Sequence, residues 1–157
     1  MTERIIEVAC AFPPAEQMPA GAIESLIRSL DADPRFAVPA GDLSVALLDE
    51  TALADIHHRF LDDPSPTDVI TFPGDPDDGT AGEILVSAER AAARATRHGH
   101  TPGDELALYL AHGWLHLAGY DDTTEAARTR MRAAEQAALA RLRETNALPD
   151  WDLPPGA

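Results

Sequence analysis

With 157 residues and a 45% apolar fraction, the chain is long enough to form one domain with a buried core. Cys10 is its only cysteine, which excludes an internal disulfide; no apolar run of membrane length and no signal-like start occur, so a cytoplasmic protein without membrane association is expected. The formal charge of −15, with twelve arginines and no lysine, speaks against a general nucleic-acid coat but leaves room for a local basic patch.

Ile5 to Phe12 reads as a first strand, apolar and partly β-branched, ended by Pro13, Pro14 and Pro19. Ile23, Leu26, Ile27 and Leu30 recur at helical spacing within Ala20 to Leu30. After a loop over 31–41, Leu43 to Leu48 reads as a second strand. Asp49 or Thr51 caps a helix from about Ala52 to Phe60, which carries His57, His58 and Arg59. Asp62 to Pro66 is a turn-rich connection, and Thr67 to Phe72 has strong strand propensity. Pro73 to Gly82, with three glycines, two prolines and Asp75, Asp77 and Asp78, reads as a flexible acidic loop before a fourth strand, Glu83 to Ser87.

Ala88 to His98 is an amphipathic helix whose Arg90, Arg94 and Arg97 share a face, as expected of a solvated side paired with nearby acids. Thr101 as cap, Pro102 at the first helical position, and Asp104 and Glu105 in the first turn start a helix running to about Ala118. Thr123 or Thr124 caps a last helix to about Thr145. Residues 1–145 are expected to form the domain and 146–157 a loose tail in which Trp151 can dock. The order β-α-β-α-β-β-α-α-α predicts an α+β fold. It has a mixed sheet of about four strands, with strands three and four as a hairpin and the most apolar helix at the centre.

That central helix carries the chemistry. His112 and His116 are four apart, so both imidazoles stand on one helical face, one turn apart, where they can grip one metal ion. Gly119 and Asp122 follow seven and ten residues after His112. A glycine there lets the chain leave the helix and turn back, bringing Asp122 round as a third ligand. Asp121 competes for that place, or serves as a turn carboxylate. Three protein ligands with an open fourth position are the pattern of a catalytic zinc. Zincin peptidases place a glutamate general base after the first histidine, and Gly113 stands there instead. Gly113 either opens room beside the ion or permits close helix packing.

The stretch His112-Gly113-Trp114-Leu115-His116-Leu117-Ala118-Gly119-Tyr120-Asp121 strongly resembles the YbeY family of rRNA-maturation endoribonucleases, whose signature reads His-Gly-x-Leu-His-Leu-x-Gly-Tyr-Asp-His. Pro66-Thr67-Asp68-Val69-Ile70-Thr71-Phe72-Pro73 resembles its Pro-Thr-Asp-Val-Leu-Ser-Phe-Pro, and Gly82-Glu83-Ile84-Leu85-Val86-Ser87 resembles its Gly-Asp-Ile-x-Ile-Ser strand. Met131 and Glu135 fall where the family's last helix carries similar residues. The resemblance covers about residues 40 to 142.

It implies one Zn2+ per chain and hydrolysis of single-stranded RNA during maturation of the small ribosomal subunit. His112 and His116 match the family's first two ligands, whereas Asp122 stands where the family carries a histidine. A carboxylate also binds zinc, at about 2.0–2.2 Å. It lowers the charge of the centre by one and leaves a bound water less acidic. A second departure is Phe60 and Leu61 at a family Tyr-Arg pair, the arginine being the expected phosphate contact. His57 or His58 then becomes the candidate donor or proton shuttle, with Arg59 and Arg90 as candidate phosphate contacts. Two other readings stand beside this one. A ribosome-assembly binding protein with a structural metal is motivated by the missing arginine and the acidic charge. A different zinc hydrolase is motivated by the metzincin-like spacing of Gly119 and Asp122 after His112, although the glutamate is missing.

Overall fold

The computed structural model describes residues 4–11, 20–61 and 68–149; Phe12, the three prolines after it, the connection 62–66, Thr67 and Trp151 lie outside the described residues. Strands β1 (Ile6–Ala11), β2 (Asp42–Leu48), β3 (Val69–Pro73) and β4 (Thr80–Ser87) form one sheet in the order β1-β2-β4-β3. β1 with β2 and β2 with β4 run parallel, while β3 pairs antiparallel with β4. The sheet is therefore mixed, in an α+β fold, with the expected hairpin at one edge. The helices are α1 (Ala20–Asp31), α2 (Glu50–Leu61), α3 (Ala88–His98), α4 (Pro102–Leu117) and α5 (Glu125–Glu144).

The two faces of the sheet are covered unequally. β2 alternates, with Leu43, Val45 and Leu47 buried toward the main core. In β4 the run Ile84-Leu85-Val86 is buried throughout, because Ile84 and Val86 join the main core while Leu85 packs with Leu53 of α2 and Ile70 of β3 on the other face. α4 lies at the centre of the main core, with Leu106, Ala107, Leu110, Ala111, Trp114 and Leu115 all fully enclosed. Trp114 is pinned there by its Nε1–H, which donates to the Phe36 carbonyl at 2.9 Å. An unpaired indole N–H at that depth is costly, so this bond also fixes the roll of α4 about its axis.

Caps form where the sequence places them. Asp49 Oδ1 accepts from Ala52 N at 2.6 Å, Thr101 caps α4 through Asp104 N, and Thr124 caps α5 through Ala127 N. The acidic loop is shorter than expected. β4 begins at Thr80, and pairing continues to Pro73 opposite Gly82. Asp75 N donates to Thr80 Oγ1 at 2.8 Å and the Asp75 carboxylate accepts from Asp77 N at 2.9 Å, so these polar side chains build a tight turn. The start of the expected tail is also packed: Ala147 N donates to Leu142 O at 2.8 Å, Ala147 and Leu148 rest on the core, and Pro149 is buried.

Two glycines set how closely α4 lies on the sheet. A Cβ at Gly113 would stand 2.7 Å from Ile84 Cγ2 and 3.4 Å from Thr71 Oγ1. A Cβ at Gly82 would stand 2.6 Å from Leu117 Cδ2. Gly113 therefore faces β4 and β3 and permits close packing; it does not open space beside an ion.

Candidate metal centre

α4 presents His112 and His116 from consecutive turns, with their rings 4.6 Å apart and nearly perpendicular at 82°. Their Nε2 atoms are 3.0 Å apart. After Leu117 the helix ends through Gly119, whose φ of 103° suits glycine, and Tyr120 N returns to Leu115 O at 3.0 Å. This reversal carries Asp122 back over the histidines, and Asp122 Oδ2 lies 3.7 Å from His112 Nε2 and 3.8 Å from His116 Nε2. Asp121 is turned away from them, its carboxylate accepting from Thr123 N and Thr123 Oγ1, both at 3.3 Å.

The donor set suits a zinc-class ion. The three separations define a triangle whose corners lie about 2 Å from a common centre. Zinc–imidazole and zinc–carboxylate bonds are about 2.0–2.2 Å long. Glu135 on α5 accepts a 2.6 Å hydrogen bond from His112 Nδ1. A carboxylate only accepts, so this bond places the ring hydrogen on Nδ1 and leaves the Nε2 lone pair facing the centre. Burial holds the His116 imidazole below its ordinary pKa, and neighbouring His112 pushes the same way, favouring the neutral, ligating form.

A cleft of about 300 Å³ opens on this cluster, lined by His112, His116 and Leu117 of α4, by Val69 to Thr71 and Pro73 of β3, and by His57 of α2. β3 is the edge strand, so one cleft wall is the outer edge of the sheet. His57 thus faces the histidine pair across the cleft. Arg59 is directed elsewhere: it is exposed, pairs with Asp55 at 3.2 Å and does not line the cleft. Arg90 is not available for phosphate. It binds Asp68 and, at 3.0 Å, Glu50, and Arg94 meets the same Asp68 at 3.3 Å. Asp68 therefore ties the start of β3 to α3. Glu105, at the head of α4, is buried against His98 and lies outside the cleft.

The sequence profile described as "Endoribonuclease YbeY" matches residues 15–143. The chain belongs to the YbeY family. It is 44% identical over 108 residues to the Endoribonuclease YbeY of Mycolicibacterium gilvum, covering 61% of this chain and 58% of that one. It is 46% identical over 95 residues to that of Mycolicibacterium smegmatis, covering 53% of each. The matched region thus spans little more than half the length of these relatives. The solution structure of TM1509 from Thermotoga maritima superposes with a TM-score of 0.65 at 25% identity, covering 98% of this chain and 99% of that one.

Within this YbeY-family fold, the residue whose part at the site could not be read from the sequence is Glu135. It lies 23 positions from His112 on a separate helix, so nothing in the local spacing joins them. The hints are its match, with Met131, to the family's last helix and its place one turn after the buried Met131, on the face of α5 that turns inward.

Proposed function

We propose that the chain is a zinc-dependent endoribonuclease that cleaves single-stranded RNA in rRNA maturation, acting in the cytoplasm on the small ribosomal subunit or its precursors. The observation that carries this reading is the convergence of His112 Nε2, His116 Nε2 and Asp122 Oδ2 on one point at the wall of an open cleft. Three protein donors leave a position for substrate, whereas a purely structural site is closed by a fourth. Bound there, the ion supplies Lewis-acid stabilisation of charge on a phosphoryl oxygen and lowers the pKa of water.

The chain's own groups do the rest. Glu135 holds His112 in register, and two neutral imidazoles with the Asp122 carboxylate would bring a bound divalent ion to a net charge of +1. His57, across the cleft, is positioned to donate a hydrogen bond to phosphate or to carry a proton. Arg59 lies outside the cleft and takes a flanking phosphate, exchanging one exposed anion, Asp55, for another at little cost. Phe60, 68% exposed and edge-on to Phe72, offers a flat surface on which an unpaired base can stack. The acidic remainder of the surface disfavours long tracts of phosphate contact, so recognition concentrates at the cleft. Gly113 removes the zincin general base and, by its contact with Ile84, the room for one.

The test is cleavage of end-labelled single-stranded RNA by untagged protein, with zinc analysis alongside. Cleavage should vanish with a chelator, return with zinc, and be absent in His116→Ala. Zinc content near one per chain at this centre should fall sharply in Asp122→Ala. Cleavage that survives His116→Ala refutes the assignment.

A further inference from the structure

A second group of metal-binding side chains stands at the other end of α4. α3 closes at His98, Gly99 takes the left-handed conformation with φ of 71°, and the chain turns through His100 into the Thr101 cap. The turn puts the His98 and His100 rings 5.9 Å apart at 74°. Glu105, in the first turn of α4, meets His98 Nδ1 with both carboxylate oxygens, at 3.1 and 3.3 Å. One ligand atom from each of His98, His100 and Glu105 lies within 4.8 Å of the other two.

We propose that this corner is a second metal site, taking one divalent transition-metal ion of the zinc class. Three observations carry it. Glu105 is 1% exposed, and the hydrogen-bond partner of its carboxylate among the described residues is a single half-exposed imidazole. A carboxylate at that depth needs strong compensation, which a divalent cation supplies. The donors are two imidazoles and one carboxylate, a set that favours zinc and its neighbours over magnesium or calcium, which prefer all-oxygen shells. His100 is exposed and makes no side-chain hydrogen bond or ion pair among the described residues, so its ring is free to close on an ion shared by the other two.

The site sits beside a small pocket of about 130 Å³ walled by Asp104, Gln136 and Arg143, which gives solvent a route to the ion. The ligands come from the end of α3, the connecting turn and the start of α4, so the ion clamps the two helices at their corner. Glu105 is seven residues before His112, roughly 10 Å along the helix axis, so the two sites are separate.

The experiment is zinc titration of metal-stripped, untagged full-length protein by calorimetry, with thermal melting of the same samples. Wild type should bind two zinc ions per chain. The double variant His112→Ala/His116→Ala, which removes the cleft centre, should still bind one. Adding His100→Ala to that double variant should weaken the remaining binding at least tenfold and remove the zinc-dependent rise in Tm. His100 is exposed, so this change does not threaten folding; Glu105→Gln, which keeps shape and loses charge, should act in the same direction. Binding of one zinc by wild type, lost in the double variant, overturns the second site and leaves the cleft centre standing. One zinc, lost with His100→Ala alone but kept in the double variant, does the reverse. A change below tenfold on adding His100→Ala also overturns it.

Discussion

Replacing Gly113 by alanine tests whether the glycine is there for packing. In an exposed helix the change stabilises by about 0.8–1 kcal/mol, because glycine is the poorer helix former. Here the new Cβ arrives 2.7 Å from Ile84 Cγ2, well inside contact distance. Ile84 is fully buried, β-branched and held in a strand paired on both sides, so neither its rotamer nor its backbone gives way cheaply. Overpacking of this kind costs about 1–3 kcal/mol. The net expectation is a loss of up to about 2 kcal/mol, which for a domain of this size lowers Tm by several degrees, at about 2–4 °C per kcal/mol. Because His112 is the preceding residue, the forced shift should also weaken zinc binding. Thermal melting of the apo protein and zinc competition are the assays. A double-mutant cycle with Ile84→Ala, which removes the clashing methyl, should show Gly113→Ala becoming neutral or stabilising in that background. A Tm that rises in the single variant refutes the reasoning, since helix propensity alone would then govern the position.

Glu135→Gln should reduce zinc affinity about 10–100-fold while leaving the far-ultraviolet spectrum unchanged, because the carboxylate orients His112 without touching the ion; competition with a chromophoric chelator measures it. The Tyr109 hydroxyl is buried without a hydrogen-bond partner among the described residues, and its pKa is driven up, first by burial. Tyr109→Phe should therefore leave stability unchanged or raise it, by at most about 1–3 kcal/mol in urea unfolding; a clear loss would reveal a partner for the hydroxyl. Asp33 has a lowered pKa, chiefly through the hydrogen bond from the Arg35 side chain, so its stabilisation is present above the unfolded value near 3.8 and disappears as pH falls through the folded one. The stability gap between wild type and Asp33→Asn should accordingly be full at pH 7 and close in acid; a gap that persists there contradicts the linkage.

What could be read from the sequence, and what could not, divides by range. Strand and helix order follows from apolar periodicity and from caps such as Thr101 and Thr124, all of which act within a few residues. The proximity of His112, His116 and Asp122 was legible for the same reason: one helical turn and one glycine reversal connect them. The start of β4 was not, because Thr80 stands among Gly79, Ala81 and Gly82, which carry little strand preference, and the segment is drawn into the sheet by β2 and β3 on either side. Arg90 looked available as a phosphate contact because its partners, Glu50 and Asp68, are 40 and 22 positions away. Gly113 left two readings open, and the choice depends on Ile84, a residue of another layer.

The bond between Glu135 and His112 has a consequence for how the centre comes into being. Chains leave the ribosome from the N-terminus at about 5–20 residues per second. Glu135 follows Asp122, the last of the three donors in the chain, by 13 residues, a delay of about one to three seconds. During it, all three ligands have been synthesised and the group that aims the first of them has not. On the proposed metal reading, the three donors exist before the group that aligns the first of them, so docking of α5 commissions the centre. A ribosome stalled between the two positions carries a chain with its ligands present and its site unaligned.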